Sequence, residues 1–116
     1  MPYEKKRAEF FDRPFKDVYR AAFVCAKDLG GKILKNELEK KILHAQMDKR
    51  MKGETLGDRS QFEMTFVEEE SGGTTIHILA YPLNAVGQKL MFGARKGAVE
   101  RAMMIFFEEV KNRLDS

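Results

Sequence analysis

Two amphipathic stretches stand at opposite ends of this chain, and the segment between them alternates apolar with polar residues. Phe15, Val18, Tyr19, Ala22, Ala26 and Leu29 recur at helical spacing near the N-terminus, as do Val99, Ala102, Met103, Phe106, Val110 and Leu114 near the C-terminus. In the middle, Phe62, Met64 and Phe66 alternate with Gln61, Glu63 and Thr65, the period of a half-buried strand. Helices with one apolar stripe and strands with one apolar face must bury them against each other. The expected fold class is therefore α+β: an antiparallel sheet of four to five strands covered by two helices, in the order β-α-β-β-β-β-α.

The chain has 116 residues, a length that suits one domain over residues 1–116. Hydrophobic residues make up 43% and charged residues 34%, enough of each for a core and a solvated surface. The 21 basic and 18 acidic residues leave a net charge of +3, too mild a bias for a dedicated nucleic-acid binder. Cys25 is the only cysteine, so no intrachain disulfide can form. The first residues are charged and lack the apolar centre of a secretory signal, and no segment approaches the roughly 20 apolar residues of a membrane-spanning helix. Cytoplasm is the expected location.

The first strand is expected from Arg7 to Phe11. Asp12 and Pro14 read as a helix start, the carboxylate accepting free backbone amides and the proline occupying the first turn. The helix should run to about Leu29 and stop at Gly30 and Gly31. Residues 32–51 fit two readings. Ile33, Leu34, Leu38, Ile42, Leu43, Ala45 and Met47 also match a helix, but that would leave the Phe62–Phe66 strand too few partners, so two strands turning near Glu39 and Lys40 are preferred. Lys52 to Asp58 reads as a loop, and Arg59 to Glu69 as a strand. A glycine turn through Gly72 and Gly73 leads to a return strand from Thr74 to Tyr81, which Pro82 should end. Leu83 to Gly97 is a long glycine-bearing loop, and the last helix follows to Leu114.

No catalytic constellation stands out. His44 and His77 share no metal-ligand spacing with each other or with Cys25, and no nucleophile has a base and an orienting group at recognisable spacing. The chain is therefore expected not to be an enzyme and to need no metal or cofactor. His77, between Ile76 and Ile78, belongs on the wetter face of its strand. Lys89, Arg95 and Lys96 lie near the start of the last helix, where cations and free amides suit an anion, although the spacing is no known phosphate fingerprint. The basic groups Lys5, Lys6, Arg7 and Lys49, Arg50, Lys52 have acids beside them and read as solvated surface. Leu90, Met91 and Phe92 are three consecutive apolar residues in the long loop, suited to packing over one end of the sheet, to lining a cavity or to exposure towards a partner or membrane surface. Met47, Met51, Met64, Met91, Met103 and Met104 could form a pliable interior. Met104 and Phe107 widen the stripe of the last helix towards deep burial or a dimer contact.

The element order, carried by the long C-terminal helix and the Phe62 to Tyr81 hairpin, resembles the helix-grip arrangement of START-type lipid-binding domains. It is also similar to the small domains of lipoprotein subunits in bacterial outer-membrane assembly. Either resemblance implies a compact helix-on-sheet domain without assigning any residue a role. The leading functional expectation is a non-enzymatic binding module that holds a small apolar ligand or partner segment between sheet and C-terminal helix, near Phe66, Leu79, Phe92, Met103 and Phe106. One alternative is a homodimeric structural or interaction protein using an edge strand or the wide helix stripe. The other is weak binding of nucleic acid or an anionic surface through Lys89, Arg95 and Lys96.

Overall fold

The computed structural model describes residues 3–116. β1 (Lys5–Phe11) leads into α1 (Phe15–Asp28), followed by β2 (Lys32–Glu37), β3 (Ile42–Met47), the two short strands β4 (Arg50–Met51) and β5 (Glu54–Thr55), then β6 (Arg59–Glu68), β7 (Thr74–Leu83) and α2 (Ala98–Asp115). Five strands form one antiparallel sheet in the order β1-β7-β6-β3-β2, and β4 pairs with β5 in a separate ribbon. This is the α+β arrangement expected from the sequence, with residues 32–47 in two strands rather than a helix.

Both helices cover the same face of the sheet, α1 over β2, β3 and β6, α2 over β1 and β7, and they touch each other. Small side chains on α1, Ala21, Ala22, Cys25 and Ala26, are all buried and permit that approach. Leu43, Ala45, Met47, Phe62, Met64, Phe66, Ile76, Ile78 and Ala80 form the sheet's buried face. Aromatic rings fill the space beneath the helices. Phe62 meets Phe106 edge-on at 5.6 Å, and Phe66 lies 4.9 Å from Tyr19 and 5.9 Å from Phe15. Met47, Met51, Met64 and Met103 belong to this interior, whereas Met91 and Met104 are exposed.

The local causes are legible. α1 ends in a Schellman motif: Gly31 N–H donates to Ala26 O, and Gly30, at φ +87°, donates to Lys27 O. The helix starts differently from expectation. Pro14 is itself the N-cap, its carbonyl accepting from Asp17 and Val18, so Asp12 stands two residues too early and makes no cap bond. The expected loop at 52–58 contains a hairpin turn, since Lys52 at φ +51° and Gly53 at φ +79° close β4 onto β5.

Pro82 does not end β7, which continues through it to Leu83. Its carbonyl accepts from Leu90 N–H, and a strand residue's N and O point to the same side. The missing donor therefore faces the returning loop, beyond the point where the β1 ladder stops at Lys5 and Ala80, and no ladder bond is lost.

Candidate ligand-binding site

The residues expected to hold an apolar ligand do not converge. Phe66, Met103 and Phe106 are buried in the helix-side core, but Phe66 packs on α1 through Phe15 and Tyr19, while Phe106 packs on Phe62 and Phe107. Leu79 lies on the opposite face. It is in register with Lys6 on β1 and Glu63 on β6, in a row that continues to His44 and Lys35. Phe92 is 85% exposed in the loop between β7 and α2. The expected pocket between sheet and C-terminal helix is thus corrected: touching aromatic rings occupy that space, and the five named residues fall in three separate places.

The long loop is the feature that stands apart. Polar contacts tether it at both ends to the start of β6. Arg59 donates from one guanidinium nitrogen to the carbonyls of Asn84 and Ala85, both at 2.9 Å, and Arg95 N–H donates to the Asp58 carboxylate at 2.7 Å. Asn84 folds the first part of the loop by accepting Val86 N–H and Gln88 N–H on its side-chain oxygen. Close by, Gly57 leaves room for the Arg95 side chain, whose Cγ would lie 2.7 Å from a Cβ at that position. Between these anchors Val86 is 78% exposed and Met91 50%, whereas Leu90 is partly covered.

A cleft of about 620 Å³ opens under this loop. Leu83 and Leu90 supply its apolar wall, and Lys49, Asp58, Arg59 and Asn84 its polar one. That volume falls within the usual range for small-molecule sites, and a few placed polar groups beside apolar surface are their common composition. Of these residues sequence reasoning singles out Leu90 and reads Lys49 as solvated surface, but misses Asp58, Arg59 and Asn84. Their signal is positional, three hydrogen-bonding residues beside turns that flank the longest loop.

The expected anion group is also divided. Lys89 donates to Glu4 at 3.0 Å and sits over the Tyr81 ring at 4.5 Å, so its charge is already engaged. Arg95 and Lys96 line a different, smaller cleft of about 260 Å³ with Lys5 and Glu100, and Glu100 lies 3.6 Å from Lys5. His77 is exposed on the open face of the sheet, as its position between Ile76 and Ile78 implies. Among the described residues no group of three His, Cys, Asp or Glu is placed to hold a metal ion. No helix among them is long and apolar enough to cross a membrane.

Glu63 organises the open face. One of its carboxylate oxygens accepts from Tyr81 O–H at 2.8 Å and from Gln61 at 2.9 Å. Burial, reinforced by this neighbouring carboxylate, pushes the Tyr81 phenol well above the ordinary tyrosine range. Cys25, enclosed between the helices, has its thiol pushed up to about 11 by burial and is no candidate nucleophile.

No known protein family's sequence profile matches this chain, and no curated protein matches it. Solved structures do. The crystal structure of Ara h 8.0201 superposes with a TM-score of 0.64 over 98% of this chain and 99% of that one, at 8% identity. The chain has a helix-grip-like fold. The crystal structure of TTHA0849 from Thermus thermophilus aligns over 95% of each chain at 14% identity and a TM-score of 0.49. In this helix-grip-like domain the five-stranded sheet supports α2 through Phe62 and Phe106, and the cleft lies at the end of the sheet where β6 begins and β7 ends.

Proposed function

We propose that this chain is a non-enzymatic binding module that takes a small apolar ligand or apolar partner segment in the cleft under the β7–α2 loop. The observation that carries the reading is the anchored loop itself: polar contacts hold its ends while Val86, Met91 and Phe92 face solvent beside a cleft walled by Leu83 and Leu90. Covering a side chain as open as Phe92 contributes about 2 kcal/mol to binding, a reason for such a ring to be displayed beside a concavity. Arg59, Asn84 and Lys49 at the same mouth suit a ligand with a polar or anionic end. The helix-grip-like fold accommodates this reading, and the filled space between sheet and α2 argues for the loop end over the interior.

Titration with 1-anilinonaphthalene-8-sulfonate, an apolar ring system carrying a sulfonate, tests it. The expected result is a saturable one-site fluorescence gain, abolished by Leu90→Asp, weakened several-fold by Phe92→Ala and unchanged by Leu38→Asp in the separate groove between α1 and β2. Full binding by Leu90→Asp, or loss through Leu38→Asp, would remove the cleft from consideration.

A further inference from the structure

β1 is one edge of the sheet, and its seven residues run without a bulge or a proline. Unpaired N–H and C=O groups on an edge strand invite another strand, and the charges on β1, Lys5, Lys6, Arg7 and Glu9, repel most strands while admitting one of complementary charge order. The side chains of β1 divide by face. Phe11 is buried among the helix-side core residues, and the pleat puts Lys5, Arg7 and Glu9 on that same face, leaving Lys6, Ala8 and Phe10 on the open one. Phe10 is half exposed. A groove of about 550 Å³ separates β1 from α2, and Arg7, Glu9, Met104 and Phe107 line it.

Within this groove Arg7 lies over the Phe107 ring at 5.7 Å. Glu9 is half-buried, yet it has no hydrogen-bond or ion-pair partner among the described residues. A half-buried carboxylate gains from a cation that approaches along the open edge. The chain itself can supply one.

We propose that β1 is the contact between two copies of this chain, paired antiparallel about a two-fold axis through Ala8 so that the two sheets join. A two-fold axis perpendicular to the sheet keeps each residue on its own face, so only registers centred on a residue are allowed. Charge then selects among them. Centring on Arg7 sets Arg7 against the partner's Arg7, and centring on Glu9 opposes two carboxylates. Centring on Ala8 places Arg7 against the partner's Glu9 and Glu9 against the partner's Arg7, with Lys6 opposite the partner's Phe10 and Lys5 opposite the partner's Phe11. No like charges face each other in that register, and opposite charges directly across a strand pair favour it. The half-exposed Phe10 and exposed Met104 are covered in the same step. No β1 residue lines the loop cleft, so this interface does not depend on ligand binding there.

Residue 8 alone faces itself across such an axis, which makes the test specific. Directly opposed strand residues approach closely enough for a disulfide. Oxidation of Ala8→Cys with diamide should give a covalent dimer, while Lys6→Cys and Phe10→Cys singly should not and the Lys6→Cys/Phe10→Cys double variant should. In light scattering the unmodified protein should show twice the 13.4 kDa of one chain. Glu9→Arg should return it to a monomer with unchanged circular dichroism, and the swap Arg7→Glu/Glu9→Arg should restore the dimer. A monomeric unmodified protein would overturn the proposal. So would an Ala8→Cys protein that stays monomeric on oxidation, or Lys6→Cys cross-linking as readily as Ala8→Cys.

Discussion

Gly31 is expected to be the least replaceable glycine in the chain, and the reason is space rather than backbone conformation. A Cβ built on it would lie 2.6 Å from Ala26 O, 2.8 Å from Met47 Sδ and 3.3 Å from Met47 Cε. The carbonyl belongs to the bond that closes α1, with Gly31 N–H donating to it at 2.8 Å, so retreat from the clash stretches that bond. Met47 is fully buried and has little room to yield. Overpacking of this kind costs about 2 kcal/mol, and loss of the closing hydrogen bond about 1 more. Gly31→Ala should therefore lose about 3 kcal/mol in urea unfolding with an unchanged m value, a large part of a small domain's stability. Gly30→Ala is the control. It has the strained φ of +87° but only ordinary contacts with Asp48 at 3.7 Å, so its cost is about 1 kcal/mol. Met47→Ala should couple to Gly31→Ala, the double variant losing less than the sum of the single losses by about 1 kcal/mol. Equal losses at the two glycines, or strict additivity with Met47→Ala, would refute the steric account.

Other expectations follow from the same kind of contact. Gly73→Ala sets a Cβ 2.3 Å from the Phe10 ring and 2.9 Å from Phe11 O; the half-exposed ring can swing away but the backbone cannot, so urea unfolding should show a loss of about 1–2 kcal/mol, only partly relieved by Phe10→Ala. Ser60 Oγ is buried without a hydrogen-bond partner among the described residues, so Ser60→Ala should be neutral or raise stability by up to about 1 kcal/mol, and a clear loss would show that the hydroxyl is bonded. Tyr19 and Tyr81 both hold their protons more tightly when folded, chiefly through burial. Above pH 10 the unfolded chain releases these protons first, so folding stability is intact below that pH and falls as pH rises; Tyr81→Phe should make the fall shallower in urea titrations at several alkaline pH values. The buried Cys25 thiol should react with 5,5′-dithiobis(2-nitrobenzoic acid) only as fast as the protein opens, and rapid modification of the native protein would contradict its burial.

The fold is legible because its elements carry strong local signals. The alternation of Phe62, Met64 and Phe66 matches a strand whose buried face is those three side chains, and Gly30 with Gly31 completes the cap that their spacing implies. The errors come where a local rule meets its surroundings. Proline lacks a donor, so Pro82 reads as a strand end, but whether that matters depends on which neighbour the nitrogen faces, and β1 ends before it. Asp12 suits an N-cap by composition, yet Pro14 takes that position itself. Grouping Leu79 with Phe66 is an error of parity. Leu79 is two residues from His77, so both share the open face, while Ile76 and Ile78 share the other with Phe66, whose register partner is Ile76. Nothing in the sequence places Phe92 outside the core, because a loop residue has no period from which its direction can be read.

That contrast bears on where a ligand can enter. A site between sheet and α2 would require Phe62 and Phe106 to part, and both are fully buried in edge-on contact, so opening that space forfeits their packing as well as their burial. Occupying the loop cleft requires no such separation, since Leu83 and Leu90 already line open volume. Binding energy at the loop end is therefore not spent against the core. The Arg59 and Asp58 tethers hold the loop in place, which limits the conformational entropy lost on closure. Cutting the Asp58 tether with Asp58→Ala removes a carboxylate from the cleft wall, which by charge alone favours the sulfonate probe. Weaker probe binding with the Phe62–Phe106 contact intact is therefore the expected mark of a positioned loop, and tighter binding would refute it.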